Sequence, residues 1–172
     1  EFRRVLFRSQ QGYITSEPYT IEKEGGFRPQ VFLLADDGYS GYANAVLAST
    51  KWIEQKPKIV QAFVDASIEG WHDFLYGDNA PAIALIKKDN PEMTDDIVAQ
   101  AVQKMKDYGI VDSGEAKTLG IGAMNEDRWK NFYDTMTYQH VFPYDVAWHD
   151  AFTVEFVNRG HSIAETPATG KP

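Results

Sequence analysis

The stretch that decides the fold runs from Pro57 to Gly77 and reads PKIVQAFVDASIEGWHDFLYG. Its apolar side chains recur every three or four residues, which is the spacing of one helix face. That face comprises Ile59, Val60, Phe63, Val64, Ser67, Trp71, Phe74 and Leu75. Proline is favoured in the first turn of a helix and glycine just after the last turn. The stretch therefore predicts one long helix with an apolar, core-facing stripe.

Further helices are predicted on both sides of this one, from proline and N-cap residues at their starts and glycine at their ends. One begins at Pro18, with Ser16 or Glu17 near the cap, and stops at Gly25-Gly26. The next two span residues 81–88 and 94–108, and another follows a cap at Asn125. Trp129, Phe132, Tyr133 and Met136 form its buried stripe. A last helix is expected over residues 146–157.

Short apolar runs near the start of the chain favour strands. Gln30–Ala35 and Ala43–Ala48 are continuous apolar runs next to turn residues, as in buried strands of a covered sheet, and Gly12–Ser16 could be a strand end. Short strands are not stable without neighbours. The sequence therefore predicts two or three strands whose partners lie outside this stretch of chain.

Composition and charge exclude several functions. With 43% hydrophobic residues in 172, the chain can bury a core. Its net charge is −8 and no run of Lys or Arg is present, which argues against nucleic-acid binding. The lack of cysteine excludes disulfides, thiol catalysis and Cys-ligated zinc. No apolar stretch reaches the ~18 residues that cross a bilayer, so no membrane insertion of this segment is expected.

The two ends differ in composition from the rest. Residues 1–9, EFRRVLFRS, resemble a translated adapter and are left out of the fold prediction. An ordinary N-terminal helix or a tag is the alternative interpretation. Residues 161–172 are rich in Ser, Thr, Ala and Pro, and we expect them to be a disordered tail.

Several stretches taken together resemble a known family. They are QGYITSEPY at residues 11–19, GYSGY at 38–42, PKIVQAF at 57–63, GIGAMNEDRWKNFY at 120–133 and AFTVEFVN at 151–158. In order and spacing they resemble the C-terminal half of ABC-transporter solute-binding proteins for thiamine pyrimidine precursors, nitrate, sulfonates and taurine. The likeness covers roughly residues 10–160.

This resemblance implies an α/β fold, namely the C-terminal fragment of a two-lobed, type II periplasmic-binding-protein fold that is predominantly helical with two or three short strands. Residues 10–37 would end the second lobe. Residues 38–160 would return through a hinge, near Gly38 and Gly41, into the first lobe. It also implies a periplasmic or lipid-anchored extracytoplasmic protein, with its signal in a missing N-terminal part. The partners would be a small solute and the permease subunits, and the full-length protein would be monomeric.

The candidate ligand-binding residues follow from the same resemblance and from side-chain chemistry. Glu17 lies at a helix start, where its carboxylate could accept hydrogen bonds from an aminopyrimidine or merely complement the helix dipole. Aromatic rings stack on flat heterocycles, and hydroxyl and amide groups add hydrogen bonds at the cleft wall. The other candidates are Tyr13, Thr15, Ser16, Tyr39, Ser40, Tyr42 and Asn44. The tyrosines could instead be packing residues, and Trp71, Trp129, Phe63 and Phe132 are expected in the core.

Alternative functions receive less support from the residues. Synthases of the thiamine pyrimidine share this fold and use a cysteine motif, but no cysteine occurs near Gly41 to Val46, which argues against an enzyme. A truncated fragment without binding competence is a third interpretation. His72, His140, His149 and His161 lack metal-ligand spacing, so we expect neither a metal nor a cofactor. A nitrogen heterocycle is favoured over sulfonate or nitrate, because those anions call for Arg or helix N-terminal donors.

Overall fold

The computed structural model describes residues 9–39 and 41–160, which form helices joined by turns and extended loops. The α-helices are α1 (Glu17–Gly25), α2 (Thr50–Gln55), α3 (Pro57–Tyr76), α4 (Ala80–Asp89), α5 (Asp95–Asp107), α6 (Ala116–Leu119) and α7 (Glu126–Tyr138), followed by a 3-10 helix, Trp148–Ala151. Within the described ranges only an isolated bridge at Gly120 has β character. None of the helices in this part of the chain has both the length and the apolar character needed to cross a bilayer.

The chain divides into two compact units, and each is built from separate parts of the sequence. Among the described residues, unit 1 contains 9–32 and 80–109, and unit 2 contains 33–39, 41–79 and 110–160. The chain therefore leaves unit 1 after residue 32 and returns to it at residue 80.

The helix predictions with clear end signals are confirmed. Pro18 and Pro57 lie in the first turns of α1 and α3, and Gly26 ends α1 in the left-handed conformation, with a φ of 68°. The side-chain oxygen of Asn125 accepts a hydrogen bond from the Arg128 N–H at 2.7 Å, so it caps α7 as predicted. Thr94 precedes α5, although its side chain does not cap the helix and donates instead to the carboxylate of Asp96.

The strand predictions are wrong for the described residues. Residues 12–16, 30–35 and 43–48 are extended or turn segments, and the two apolar runs are exposed rather than buried: Phe32 is 80% and Leu47 97% exposed. A strand forms when its N–H and C=O groups pair with a neighbouring strand, and the described chain supplies no such neighbour.

The last predicted helix is also wrong. Only Trp148–Ala151 is helical, as a single 3-10 turn, and Phe152 then takes an extended conformation with φ −147° and ψ 164°. The extended chain brings Phe152 into stacking contact with Trp129, with 5.0 Å between ring centres, and it carries Phe156 into the core. Tertiary packing of aromatic rings outweighs local helix propensity here.

The core of unit 2 is small. Val60 and Val64 of α3 pack against Phe156, and Ile53, Ile68 and Val157 surround them. The apolar stripe of α3 is wider than this core, because Ile59, Phe63 and Trp71 are exposed. The prediction that Phe63 and Trp71 are core residues is therefore wrong, whereas Trp129 and Phe132 of α7 are half-buried. At the C-terminal end of the stripe, Phe74 is half-buried and Leu75 is buried.

Unit 1 is held together by contacts between α1 and α5. The Lys23 ammonium and the Tyr19 hydroxyl, both on α1, donate to the Asp96 carboxylate at 2.7 and 2.6 Å. The side-chain amide of Gln100 donates to the Thr15 carbonyl just before α1. Val98, on α5, is buried to 3% exposure. These contacts hold α1 beside α5, and Tyr19 and Gln100, which make two of them, also line a groove.

Candidate functional site: a groove in unit 1

A groove of about 490 Å³ lies in unit 1 between three segments of chain. Its walls come from α1 and the turn before it, from the loop at residues 28–31, and from α5. The lining residues are Ile14, Pro18, Tyr19, Glu22, Arg28, Pro29, Gln30, Val31, Gln100, Lys104 and Tyr108. This volume falls within the roughly 300–1,000 Å³ range of small-molecule sites, which combine apolar walls with a few polar groups.

Charged groups and tyrosine rings face this groove. Arg28 and Lys104 supply positive charge and Glu22 supplies one negative charge. The Lys104 ammonium lies 5.5 Å from the ring centre of Tyr108, in a cation–π contact. The Tyr19 ring is held in place because its hydroxyl donates to Asp96, and this hydrogen bond raises the pKa of Tyr19. The groove therefore offers both ring surface and cations to a ligand.

The predicted residues Tyr13, Thr15, Ser16 and Glu17 are brought together in one turn that leads into α1. The Glu17 carboxylate accepts hydrogen bonds from the Ser16 hydroxyl at 2.5 Å and from the Tyr13 N–H at 2.6 Å. These two hydrogen bonds, the one from Ser16 foremost, lower the pKa of Glu17. Glu17 is thus ionised at neutral pH and holds its own turn closed.

This turn lies next to the groove, but the four residues predicted to bind ligand do not line the groove. Ile14 within the turn and Pro18 directly after it are part of the wall. Glu17 fixes the backbone that carries both of them. In the described structure Glu17 is therefore positioned to support the groove wall, while Tyr13 projects into solvent at 65% exposure.

The other predicted site residues lie in unit 2, where Tyr39 and Tyr42 pack against neighbouring side chains. The ring of Tyr39 contacts Phe132 edge-on, with 6.2 Å between ring centres. The Tyr42 hydroxyl donates to Glu115 at 3.1 Å and accepts from the Asn125 N–H at 2.9 Å. Burial is the largest cause that raises the pKa of Tyr42, and Glu115 raises it further, whereas the Asn125 N–H and the Arg128 charge act in the opposite direction.

Two side chains of α7 pack against the ring of Tyr42. The Arg128 guanidinium lies 4.1 Å from its ring centre, and Trp129 packs beside it at 5.6 Å. Through these contacts, the loop that follows Gly41 is held against α7. Asn44 is exposed, and Ser40 lies outside the described residues.

The groove residues of α5, and Tyr108, which directly follows it, were missed in the sequence, although a signal for them is present. Gln100, Lys104 and Tyr108 are spaced four residues apart, which places them in one row along a helix. The sequence cannot show that this row faces the loop at 28–31, because that contact joins segments about seventy residues apart. Arg28 precedes Pro29 in a loop and carries no local signal at all.

Histidine and acidic groups show no metal-binding arrangement in the part of the chain described. Among residues 9–39 and 41–160, no three His, Cys, Asp or Glu side chains are placed to hold one ion. The Nε2 atom of His149 lies 3.5 Å from the Glu126 carboxylate. His161 lies outside the described residues.

Comparison with known proteins gives one match, to part of the chain. Residues 9–79 match the family model described as NMT1/THI5 like. No curated protein and no solved structure matches the chain. The matched residues include α1 and the loop at 28–31, which form two of the three groove walls, and they end before α5. The match supports a relationship of this part of the chain to the family of periplasmic binding proteins and is compatible with a solute-binding role.

Proposed function

We propose that this chain is part of the substrate-binding component of an ABC importer, which binds a small solute outside the cytoplasm and passes it unchanged to permease subunits. The observation that carries the proposal is the family match over residues 9–79. The groove in unit 1 supports it, because two of the groove walls lie within the matched residues.

The groove is the proposed binding site. Its size suits a single small molecule, and its walls combine Pro18, Pro29 and Val31 with polar groups from two helices. Tyr19 is fixed before a ligand arrives by its hydrogen bond to Asp96, so little side-chain freedom is lost on binding. In this proposal Glu17 acts through the turn that it closes rather than by touching the solute.

The proposal also includes a longer, two-lobed α/β protein of which this chain is the C-terminal part. Phe32 in unit 1, and Leu34 and Leu47 in unit 2, are large apolar side chains exposed to solvent at 80%, 62% and 97%. Burying apolar side chains of this size against other chain segments is favourable. Strands from the rest of such a protein would cover these segments and convert them into sheet.

The first candidate solutes are thiamine pyrimidine precursors, and taurine, sulfonates and nitrate are the others. Isothermal titration calorimetry of the protein made from the complete reading frame tests the choice, with hydroxymethylpyrimidine, its phosphate ester, formyl-aminopyrimidine, taurine and nitrate. We expect saturable binding of at least one of them and, by mass spectrometry, recovery of that solute unchanged. No binding to any of the five, or conversion of the solute, would contradict the proposal.

A matched pair of variants tests the location of the site. Val31→Trp places a large side chain in the groove wall and should abolish binding. Phe32→Trp changes the neighbouring residue, which does not line the groove, and should leave binding intact. Equal binding by both variants would place the site elsewhere.

A further inference from the structure

The lining of the groove has the opposite charge balance to the chain as a whole. The chain has 17 Lys and Arg against 25 Asp and Glu, whereas the groove is lined by Arg28, Lys104 and one acid, Glu22. A local excess of positive charge on an acidic protein attracts anions to that place.

The two cations of the groove are not committed to acidic partners, in contrast to three other lysines of the chain. Lys23, Lys87 and Lys130 each form an ion pair with an aspartate, at 2.5–2.7 Å. Among the described residues, Lys104 contacts the ring of Tyr108 and forms no ion pair.

Arg28 likewise has neither an ion pair nor a hydrogen bond within the described residues. The guanidinium group of arginine offers paired N–H donors that match a carboxylate or a phosphate. Its donors remain available to a ligand.

Flat and apolar surfaces lie beside these cations. Tyr19 and Tyr108 contribute rings, and Pro18, Pro29 and Val31 contribute apolar walls. Stacking between aromatic rings contributes to binding beyond the burial of their surface. The lining therefore matches a molecule that has a flat ring at one end and a negative charge at the other.

We propose that the solute bound in this groove is a ring compound that carries one anionic group, a carboxylate or a phosphate. Arg28 and Lys104 bind the anion, and the tyrosines and prolines hold the ring. Glu22 repels a second anionic group and accepts a hydrogen bond from an amino substituent. This proposal rests on the proposed function, because it names the ligand class of the same groove.

Simple probe molecules test the charge and the ring separately. NMR titration of the 172-residue chain would use benzoate and phenyl phosphate, with benzyl alcohol as a neutral ring and inorganic phosphate as an anion without a ring. We expect both ring anions to bind more tightly than either control. One unscreened ion pair near 4 Å corresponds to about a five-fold change in affinity.

Charge-removing variants locate the effect. Arg28→Gln and Lys104→Gln should each weaken benzoate binding about five-fold and leave benzyl alcohol binding unchanged. Lys88→Gln removes a positive charge from α4, in the same unit but outside the groove, and should change neither. Glu22→Gln should strengthen benzoate binding by a similar factor, and added salt should weaken it.

Each outcome decides the proposal. It is overturned if benzoate binds no tighter than benzyl alcohol, if Lys88→Gln acts like Arg28→Gln, or if no probe binds. Phenyl phosphate binding no tighter than inorganic phosphate would remove the ring from the proposal and overturn it as stated. The proposed function and the ligand class can fail separately. If an importer solute binds but the probes show no preference for charge, the proposed function holds and the assignment of this ligand class is wrong.

Discussion

Two arginines, one in each unit, show how differently the units use their polar groups. In unit 2 the guanidinium of Arg128 packs on the ring of Tyr42 and donates to the Gly41 carbonyl at 3.3 Å. In unit 1 Arg28 lines the groove without an ion pair or hydrogen bond among the described residues. The same residue type thus stabilises structure in one unit and remains available for binding in the other.

The units also differ in their aromatic residues. All four tryptophans of the chain, at positions 52, 71, 129 and 148, lie in unit 2. The aromatic rings of unit 1 are those of phenylalanine and tyrosine. Tryptophan fluorescence therefore reports on the structure of unit 2, whereas backbone amide signals are needed to follow unit 1. This difference allows the two units to be tested separately in one molecule.

The largest expected effect is the loss of Phe156 from the core of unit 2. Phe156 is 6% exposed and packs against Val60 and Val64. Phe156→Ala should lower the free energy of unfolding by about 3 kcal/mol, because buried Phe→Ala substitutions leave a cavity and typically cost 3–5. Urea unfolding followed by tryptophan fluorescence would measure it.

Phe32→Ala is the control for this substitution, since Phe32 is 80% exposed in unit 1, and it should change stability by less than about 0.5 kcal/mol. Amide protection of α5 should survive Phe156→Ala if the units are energetically separate. Equal effects of both variants would contradict the contrast between a buried and an exposed phenylalanine.

A smaller effect is expected at the cap of α7. Asn125 caps the helix through its side-chain oxygen, and its side-chain amide donates to Glu115. Asn125→Ala should therefore destabilise unit 2 by about 0.5–2 kcal/mol, the usual range for a lost cap. Circular dichroism and tryptophan fluorescence during thermal unfolding would detect it.

Asn131→Ala, on the exposed face of the same helix, removes an amide that caps nothing and serves as the control. Because alanine has a higher helix propensity than asparagine, Asn131→Ala should not lower stability. A loss at Asn131 as large as that at Asn125 would contradict the assignment of the effect to the cap.

The smallest effect is expected in unit 1, at the exposed link between α1 and α5. Hydrogen bonds from Lys23, Thr94 and Tyr19 hold the pKa of Asp96 well below its ordinary value of 3.8. A carboxyl group whose pKa is lowered by folding stabilises the folded state above its unfolded pKa, and this contribution is lost as the pH falls towards the folded pKa. The link should thus hold at neutral pH and weaken progressively below about pH 4.

Hydrogen exchange of the α1 amides would measure this link. Asp96→Asn should speed exchange at neutral pH and remove the pH dependence below pH 4. Glu24→Gln removes one negative charge from α1 at a residue whose side chain forms no hydrogen bond in the described structure, and it should leave exchange unchanged. Unaltered exchange in Asp96→Asn would show that Gln100 and Val98 hold the two helices together without Asp96.

Local signals predicted the helices, and non-local contacts explain why the strand predictions and the last helix prediction were wrong. Pro57, Gly77 and Asn125 act within a few residues of themselves, so their effects can be read from the sequence. The apolar run around Phe32 could not be assigned correctly, because strand formation depends on partners elsewhere. Phe152 is extended because Trp129, more than twenty residues away, packs against it.

The candidate site was predictable only in part. The turn around Glu17 was identified from the sequence. The Glu17 carboxylate, however, accepts hydrogen bonds from Tyr13 and Ser16 in the same turn and does not line the groove. Lys104 and Arg28 come from distant segments that meet only in the folded unit. No local pattern distinguishes a cation that lines a groove from one on an open surface.

Unit 1 is built from two separate segments of chain, so it cannot be completed until the ribosome has made the second one. Its first segment ends at residue 32, and its last described residue is 109. A ribosome that adds roughly 5–20 residues per second would need about 4–15 s to make the intervening chain. During that interval α1 has emerged without α5 to pack against, so a chaperone could bind it while the nascent chain is still growing.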